Sequence, residues 1–367
     1  MTALGPPRES QQPAGTDDLL VPITLELAPI RRLLVIDVAD DPVYRGLEPQ
    51  VLDGPHGRGL VLLAYRHDGH VELYAESKLE VDSSGYDGLG KGLLLTDRTS
   101  FDQARFDVTE DGLKVDAAFT ATTGRRFDVH IHEHLAEPRD RFPVLAPVGG
   151  AFDSPEFFPF LWLPGLSFVP ARGTEAVLQV DGVKRTIPRL PLPIGGRRCM
   201  MARYDPDVMV CQVNPSWIRA VPRAPASAPS RPSEGGVDIV DAGGQPGIAR
   251  VHVSQGAHTC SALLDPPLPD LERLPSSARR EGAIMLQADG VTELRGRYAI
   301  ERTADRITLD IGQLGPWRTR QRRPLLAVLF RLPIFRRWPT TYRWQATLDL
   351  VDSPDSAPRL DSRWLRR

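Results

Sequence analysis

His70-Val-Glu-Leu-Tyr-Ala-Glu-Ser-Lys-Leu-Glu-Val81 decides the fold class. Val71, Leu73, Ala75, Leu79 and Val81 alternate with Glu72, Tyr74, Glu76, Lys78 and Glu80, and period two over this length predicts a strand with one apolar and one polar face. Just upstream, Gly59-Leu-Val-Leu-Leu-Ala-Tyr-Arg66 is apolar on both faces, and Asp68-Gly69 supplies the positive-φ positions of a tight turn. The two runs are expected to pair as an antiparallel hairpin.

The pattern repeats outward. Leu113, Val115, Ala117 and Phe119 alternate with Lys114 and Asp116, Gly124 turns the chain, and Phe127, Val129, Ile131 and Leu135 alternate back. Val177–Val180, Asp181-Gly182 and Val183–Ile187 predict a third hairpin, and 200–204 and 208–213 predict two short strands. Strand signals resume at 248–253, 260–264, 283–288, 294–300, 306–311 and 342–350. Helix is expected only at 325–332, between Pro324 and Pro333, and at 270–277. The 35 prolines and 31 glycines favour many short elements over long helices, and the lack of long amphipathic helices between strands argues against parallel βαβ units. The fold class is therefore all-β, as two antiparallel barrels or sandwiches in tandem with few short helices. Residues 1–18 are expected as a tail, 19–220 as the first β unit, 221–236 as a Pro/Ala/Ser-rich linker or loop, 237–351 as the second unit and 352–367 as a tail.

Three cysteines, Cys199, Cys211 and Cys260, are too few and too widely spaced for a disulfide framework or a thiolate zinc site, which fits a reducing cytoplasm. No apolar run approaches the roughly 20 residues that span a bilayer, so a soluble or peripheral protein is expected.

Charge is distributed unevenly. The chain carries a formal net charge of -2, yet 311–348 holds eight arginines and no acidic residue. Trp317, Phe330, Phe335, Trp338, Tyr342 and Trp344 interleave with Arg322, Arg323, Arg336 and Arg337 in that stretch. Cationic and apolar surface together suit an anionic amphiphile or a lipid headgroup layer. A solvated sheet edge is the plainer alternative, and nucleic acid is the least favoured partner because the rest of the chain cancels the patch.

Phe152–Val169 concentrates Phe157, Phe158, Phe160, Trp162 and Phe168 among three prolines. It is expected to wall or cover an apolar pocket, or to cap a sheet as ordinary core. With Trp317, Arg322, Arg323, Arg336, Arg337 and Trp338, these aromatics form the expected ligand-binding set.

Arg126-Phe-Asp-Val-His130-Ile-His132-Glu-His134 puts three imidazoles on one strand face. His130 and His134 lie roughly 13 Å apart along a strand, so only an adjacent pair such as His130 and His132 could share a metal. A solvent-facing row beside Arg126 and Asp128 is the alternative. No Gly-x-Ser-x-Gly, Gly-x-Gly-x-x-Gly, phosphate-binding loop or His-Glu-x-x-His occurs, so no reaction is specified and no catalytic residue is assigned.

The spacing Gly124, His130-x-His132 and Glu137 resembles the first metal-binding motif of the cupin family. Antiparallel strands in two tandem blocks, a proline-bounded aromatic segment and the lack of long helices resemble the calycin superfamily, specifically the double lipocalin-like proteins related to the hydroxyneurosporene hydratases, whose Gly-x-Trp opens the first strand whereas here it falls late, at Gly315-Pro-Trp317. That resemblance implies an apolar interior that binds a hydrophobic or lipid-like small molecule. It implies, alternatively, an isomerase, cyclase or hydratase acting on a terpenoid or polyketide. The cupin likeness implies a metal-dependent enzyme using His130 and His132; otherwise no cofactor is expected.

Overall fold

The computed structural model describes residues 18–55, 57–81, 83–86, 89–134, 140–148, 155–225, 235–319, 331–350 and 358–366. Strand accounts for 64% of the described residues and helix for 3%, in line with the turn-rich, period-two sequence. A ten-stranded sheet runs in the order Leu25–Leu27, Met209–Val213, Phe158–Pro170, Cys199–Asp205, Ile30–Asp37, Tyr44–Gly54, Gly57–Arg66, Val71–Glu76, Leu93–Thr99, with Phe142–Ala146 also on Phe158–Pro170. A five-stranded sheet runs Val183–Lys184, Thr174–Val180, Arg126–Glu133, Gly112–Thr120, Phe101–Thr109. A nine-stranded sheet runs Gly236–Asp241, Pro246–Gln255, His258–Pro269, Arg279–Ala288, Thr292–Thr303, Arg306–Gly312, Tyr342–Asp349, Arg359–Arg366, with Arg318–Thr319 paired to Thr292–Thr303. Asp18–Leu20 and Arg223–Pro225 form a small two-stranded ribbon.

All three expected hairpins form. Gly69 and Gly124 sit at φ 94° and 84°, and Asp181-Gly182 at 54° and 73°, so each turn uses the left-handed backbone its sequence offers. Leu47, Leu60, Leu62 and Tyr74 of the ten-stranded sheet pack on Val115, Ala117, Phe119, Phe127 and Val129 of the five-stranded one. Tyr74 lies 5.3 Å from Phe119 and 5.0 Å from Phe127, ring to ring, so two sheets make one sandwich core.

That sandwich corrects the reading of the deciding stretch. The strand stops at Glu76, and both its faces are buried: Val71, Leu73 and Ala75 on one side, Tyr74 on the other. Glu72, on the polar face of the alternation, is 6% exposed. Burial would raise its pKa, but Tyr44 and Tyr74 each donate to Oε2 at 2.6 Å and Arg66 donates to Oε1 at 2.7 Å, which holds the carboxyl below its ordinary value.

Phe158–Pro170 corrects another expectation. It is a 13-residue strand inside the ten-stranded sheet, not a covering loop. Pro164 falls where pairing with Phe142–Ala146 jumps from Val144↔Leu163 to Phe142↔Leu166, a bulge where no amide is needed for the ladder. Pro333, expected to end a helix, instead opens the five-residue helix α1, Pro333–Arg337, because proline's missing N–H costs nothing in a first turn. Most of the expected 325–332 helix lies outside the described residues. Asp270–Ser277 forms turns, with Asp270 Oδ1 accepting from the Glu272 amide and Leu271 and Leu274 buried. Arg359–Arg366, expected as part of a tail, is an edge strand whose Leu360 and Trp364 alternate into the core.

The largest apolar cluster joins two sheets. Phe158, Phe160, Trp162, Met209, Cys211 and Val213 of the ten-stranded sheet pack on Cys260, Ile284, Leu286, Tyr298, Trp344 and Trp364 of the nine-stranded one. No helix among the described residues is long and apolar enough to cross a membrane.

Candidate functional site: a cationic and apolar surface segment and two part-buried polar clusters

The expected ligand-binding aromatics separate into three places. Phe158, Phe160, Trp162, Trp317 and Trp338 converge in the cluster shared by the ten- and nine-stranded sheets, all at 7% exposure or less. Phe158 sits at their centre: Trp338 stacks on it at 5.4 Å and 8°, Tyr342 meets it edge-on at 5.0 Å, and Trp364 lies at 5.4 Å. Phe157 is at the margin, edge-on to the half-exposed Trp217. Phe168 points to the opposite face of its strand, beside a small hollow of about 170 Å³ with Asp140, Ile194 and Arg197. These rings pack on one another rather than around a shared opening. A hollow of about 760 Å³ lies instead on the nine-stranded sheet's outer face and is lined by charged residues, including Arg297, Asp310 and Arg343.

The arginine segment is held from beneath. In α1, Phe335 is half-buried and Trp338 just after it is anchored on Phe158, whereas Leu332 and Ile334 are 47% and 59% exposed. Arg331, Arg336 and Arg337 are exposed on the same turn. Two large apolar side chains thus stand in solvent among three cations, on a short element fixed by its neighbours. Arg322 and Arg323 lie outside the described residues.

The histidine row splits. His130 lies directly across from Asp116 in the strand register, and Asp116 Oδ1 accepts from His130 Nδ1 at 2.8 Å and His132 Nε2 at 2.6 Å. Burial would raise the Asp116 pKa, but the two imidazole hydrogen bonds and their charge bring it below the ordinary value. His134 lies apart, with Nε2 at 3.9 Å from Glu175 Oε2, both exposed. Each of His130 and His132 commits one ring nitrogen to Asp116. Among the described residues no group of three or more His, Cys, Asp or Glu side chains is arranged to hold an ion, and Glu137 lies outside them.

A second cluster had no signal in the sequence. His258 Nδ1 bonds Asp289 Oδ2 at 2.7 Å, and its Nε2 bonds Asp207 Oδ2 at 3.0 Å. Asp289 Oδ2 also accepts from Trp162 Nε1 at 2.8 Å, so turns of the nine-stranded sheet are tied to the ten-stranded one. Burial would lower the His258 pKa, yet the two carboxylates outweigh it and raise it. Nearby Asp205 is fully buried, and burial pushes its pKa up to about 6 although the amides of Gly165 and Asp207 donate to it. These residues are brought together by β-turns 31 to 51 positions apart, which no local spacing announces.

Neither a known family model, nor a curated protein, nor a solved structure matches this chain.

Proposed function

We propose that this all-β protein binds lipid at an anionic membrane surface, with α1 and its arginines as the contact. The observation that carries the reading is the exposure of Leu332 and Ile334 beside Arg331, Arg336 and Arg337 on a short helix held by the half-buried Phe335 and by Trp338 stacked on Phe158. Soluble surfaces shed single apolar residues freely, but an apolar pair ringed by cations matches the layered chemistry of headgroups over acyl chains. Each arginine near such a surface contributes about 1 kcal/mol, and partial insertion of two aliphatic side chains adds roughly 1 kcal/mol apiece. The sum is on the order of 5 kcal/mol, comparable to one myristoyl chain, so attachment is reversible.

The lipocalin-like part of the reading rests on the nine-stranded sheet. Its eight principal strands each pair antiparallel with the next in the chain, the up-and-down order that lipocalin-like barrels use.

The test is co-sedimentation with vesicles of phosphatidylcholine alone and of equimolar phosphatidylcholine and phosphatidylglycerol. Binding is expected only to the anionic vesicles, to weaken as salt rises, and to fall in Arg336→Gln/Arg337→Gln. Binding that is absent, or indifferent to lipid charge and salt, overturns the reading.

A further inference from the structure

Two segments far apart in the chain share one composition. Arg189-Leu-Pro-Leu-Pro-Ile-Gly-Gly-Arg-Arg198 and Arg331-Leu-Pro-Ile-Phe-Arg-Arg337 both open Arg-Leu-Pro, carry an isoleucine within the next few residues, and close on paired arginines. We propose that the first is a second lipid-contact element, so that the protein meets an anionic phospholipid surface at two points rather than one. This rests on the membrane reading of α1.

The structure makes 189–198 a firm element. Ile194 and Arg197 exchange both backbone hydrogen bonds at 2.9 Å, and the Leu190 amide donates to the Cys199 carbonyl at 2.9 Å. Gly195 and Gly196 turn the chain at φ 55° and 78°, the pair of positive values a tight two-residue hairpin needs. On this hairpin Leu192 is 74% exposed, the highest value among the exposed large apolar side chains of the described residues, and Pro191 and Pro193 on either side of it are exposed as well, so the apolar surface is a run of three residues. A leucine so exposed on an ordered backbone is not a mobile loop passing through solvent.

Its chemistry repeats that of α1. Arg189 and Arg198 are exposed beside Leu192, and Asp140, whose carboxylate lies against the Gly195 turn, is an acidic group at that site. With two exposed arginines against that one carboxylate the element is net positive, and charge complementarity selects an anionic partner with an apolar layer beneath its charge, which is a phospholipid surface. Geometry joins the two elements. Ile194 from the hairpin and Phe335 from α1 both pack on the same cluster of Leu33, Phe142, Val144, Leu163, Leu166 and Val208. Each element thus turns one apolar residue down onto that cluster and leaves others outside.

The experiment compares wild type, Leu192→Ser and Leu332→Ser/Ile334→Ser on vesicles of equimolar phosphatidylcholine and phosphatidylglycerol. In parallel, Leu192→Cys carries an environment-sensitive fluorophore; Cys199, Cys211 and Cys260 are all buried, and labelled wild type is the control. Leu192→Ser is expected to lower partitioning about tenfold with an unchanged melting temperature, and the dye to shift to the blue on adding vesicles. If wild type binds but Leu192→Ser binds equally and the dye does not shift, the second contact is overturned while the α1 reading stands. If wild type does not bind, the membrane reading itself fails and the hairpin contact fails with it.

Discussion

Trp338 lies flat on Phe158, ring centroids 5.4 Å apart and planes 8° from parallel, and this stack fixes the end of α1 to the core between two sheets. Both rings are nearly sealed from solvent. Trp338→Ala would leave a large cavity and is expected to cost about 3–5 kcal/mol, read as a lowered urea midpoint. Trp338→Phe keeps a ring on Phe158 and should cost much less. Equal losses for the two would mean that the stack does not hold the segment.

Gly282 offers a sharper packing test. A Cβ there would come within 2.5 Å of the Tyr298 ring, and that ring is pinned because its hydroxyl donates to the Pro266 carbonyl at 2.5 Å. Gly282→Ala must push the ring off or break the hydrogen bond, and a loss of about 1–3 kcal/mol is expected in thermal unfolding. Gly282→Ala/Tyr298→Phe should recover part of it, since the freed ring can move.

The buried acids predict the sign of the pH response. The folded-state pKa of Asp205, about 6, exceeds the ordinary 3.8, so its contribution is full below about pH 4 and is lost as pH rises towards 6. His258 works in the same direction: its raised pKa contributes fully below its ordinary 6.5 and is lost as pH passes the folded value. Stability measured by urea unfolding is therefore expected to fall between pH 4 and pH 7. Asp205→Asn loses one of two backbone donors, at about 1–3 kcal/mol, but should flatten that slope. An unchanged slope would show that some other group titrates.

Asp116 carries the opposite sign. Its lowered pKa contributes above the ordinary carboxylate range and is lost as pH falls through the folded value. Asp116→Ala removes the common acceptor of His130 and His132, both partly open to water, so a loss of only about 0.5–1.5 kcal/mol at pH 7 is expected, with a shallower acid limb. A much larger loss would show that the two imidazoles do more than decorate a sheet face.

What was legible in the sequence was local. Asp68-Gly69, Gly124 and Asp181-Gly182 announced their hairpins because a tight turn is solved within a few residues. Alternation sets Glu72 and Tyr74 on the face opposite Val71, Leu73 and Ala75, but does not reveal that a second sheet covers that polar face. Phe158–Pro170 was misread because proline is a strong local breaker, whereas the neighbouring strands that fix it come from elsewhere in the chain. Phe157, Phe158, Phe160, Trp162 and Phe168 stand out in the sequence, but alternation and composition do not tell core from pocket wall, because both use the same residues. The Asp205, Asp207, His258 and Asp289 cluster could not be read at all, since each member is unremarkable in its own neighbourhood.

The nine-stranded sheet can zip progressively, each principal strand closing on the one just made. The ten-stranded sheet has no such convenience: Ile36 pairs with Ala202, 166 positions away by number. Its centre stays open on the ribosome until Cys199–Asp205 has emerged, with the edge of Ile30–Asp37 away from Tyr44–Gly54 unpaired meanwhile. Refolding limited by that distant closure belongs in the millisecond to second range or slower, and that waiting edge is where a crowded solution would capture the chain first.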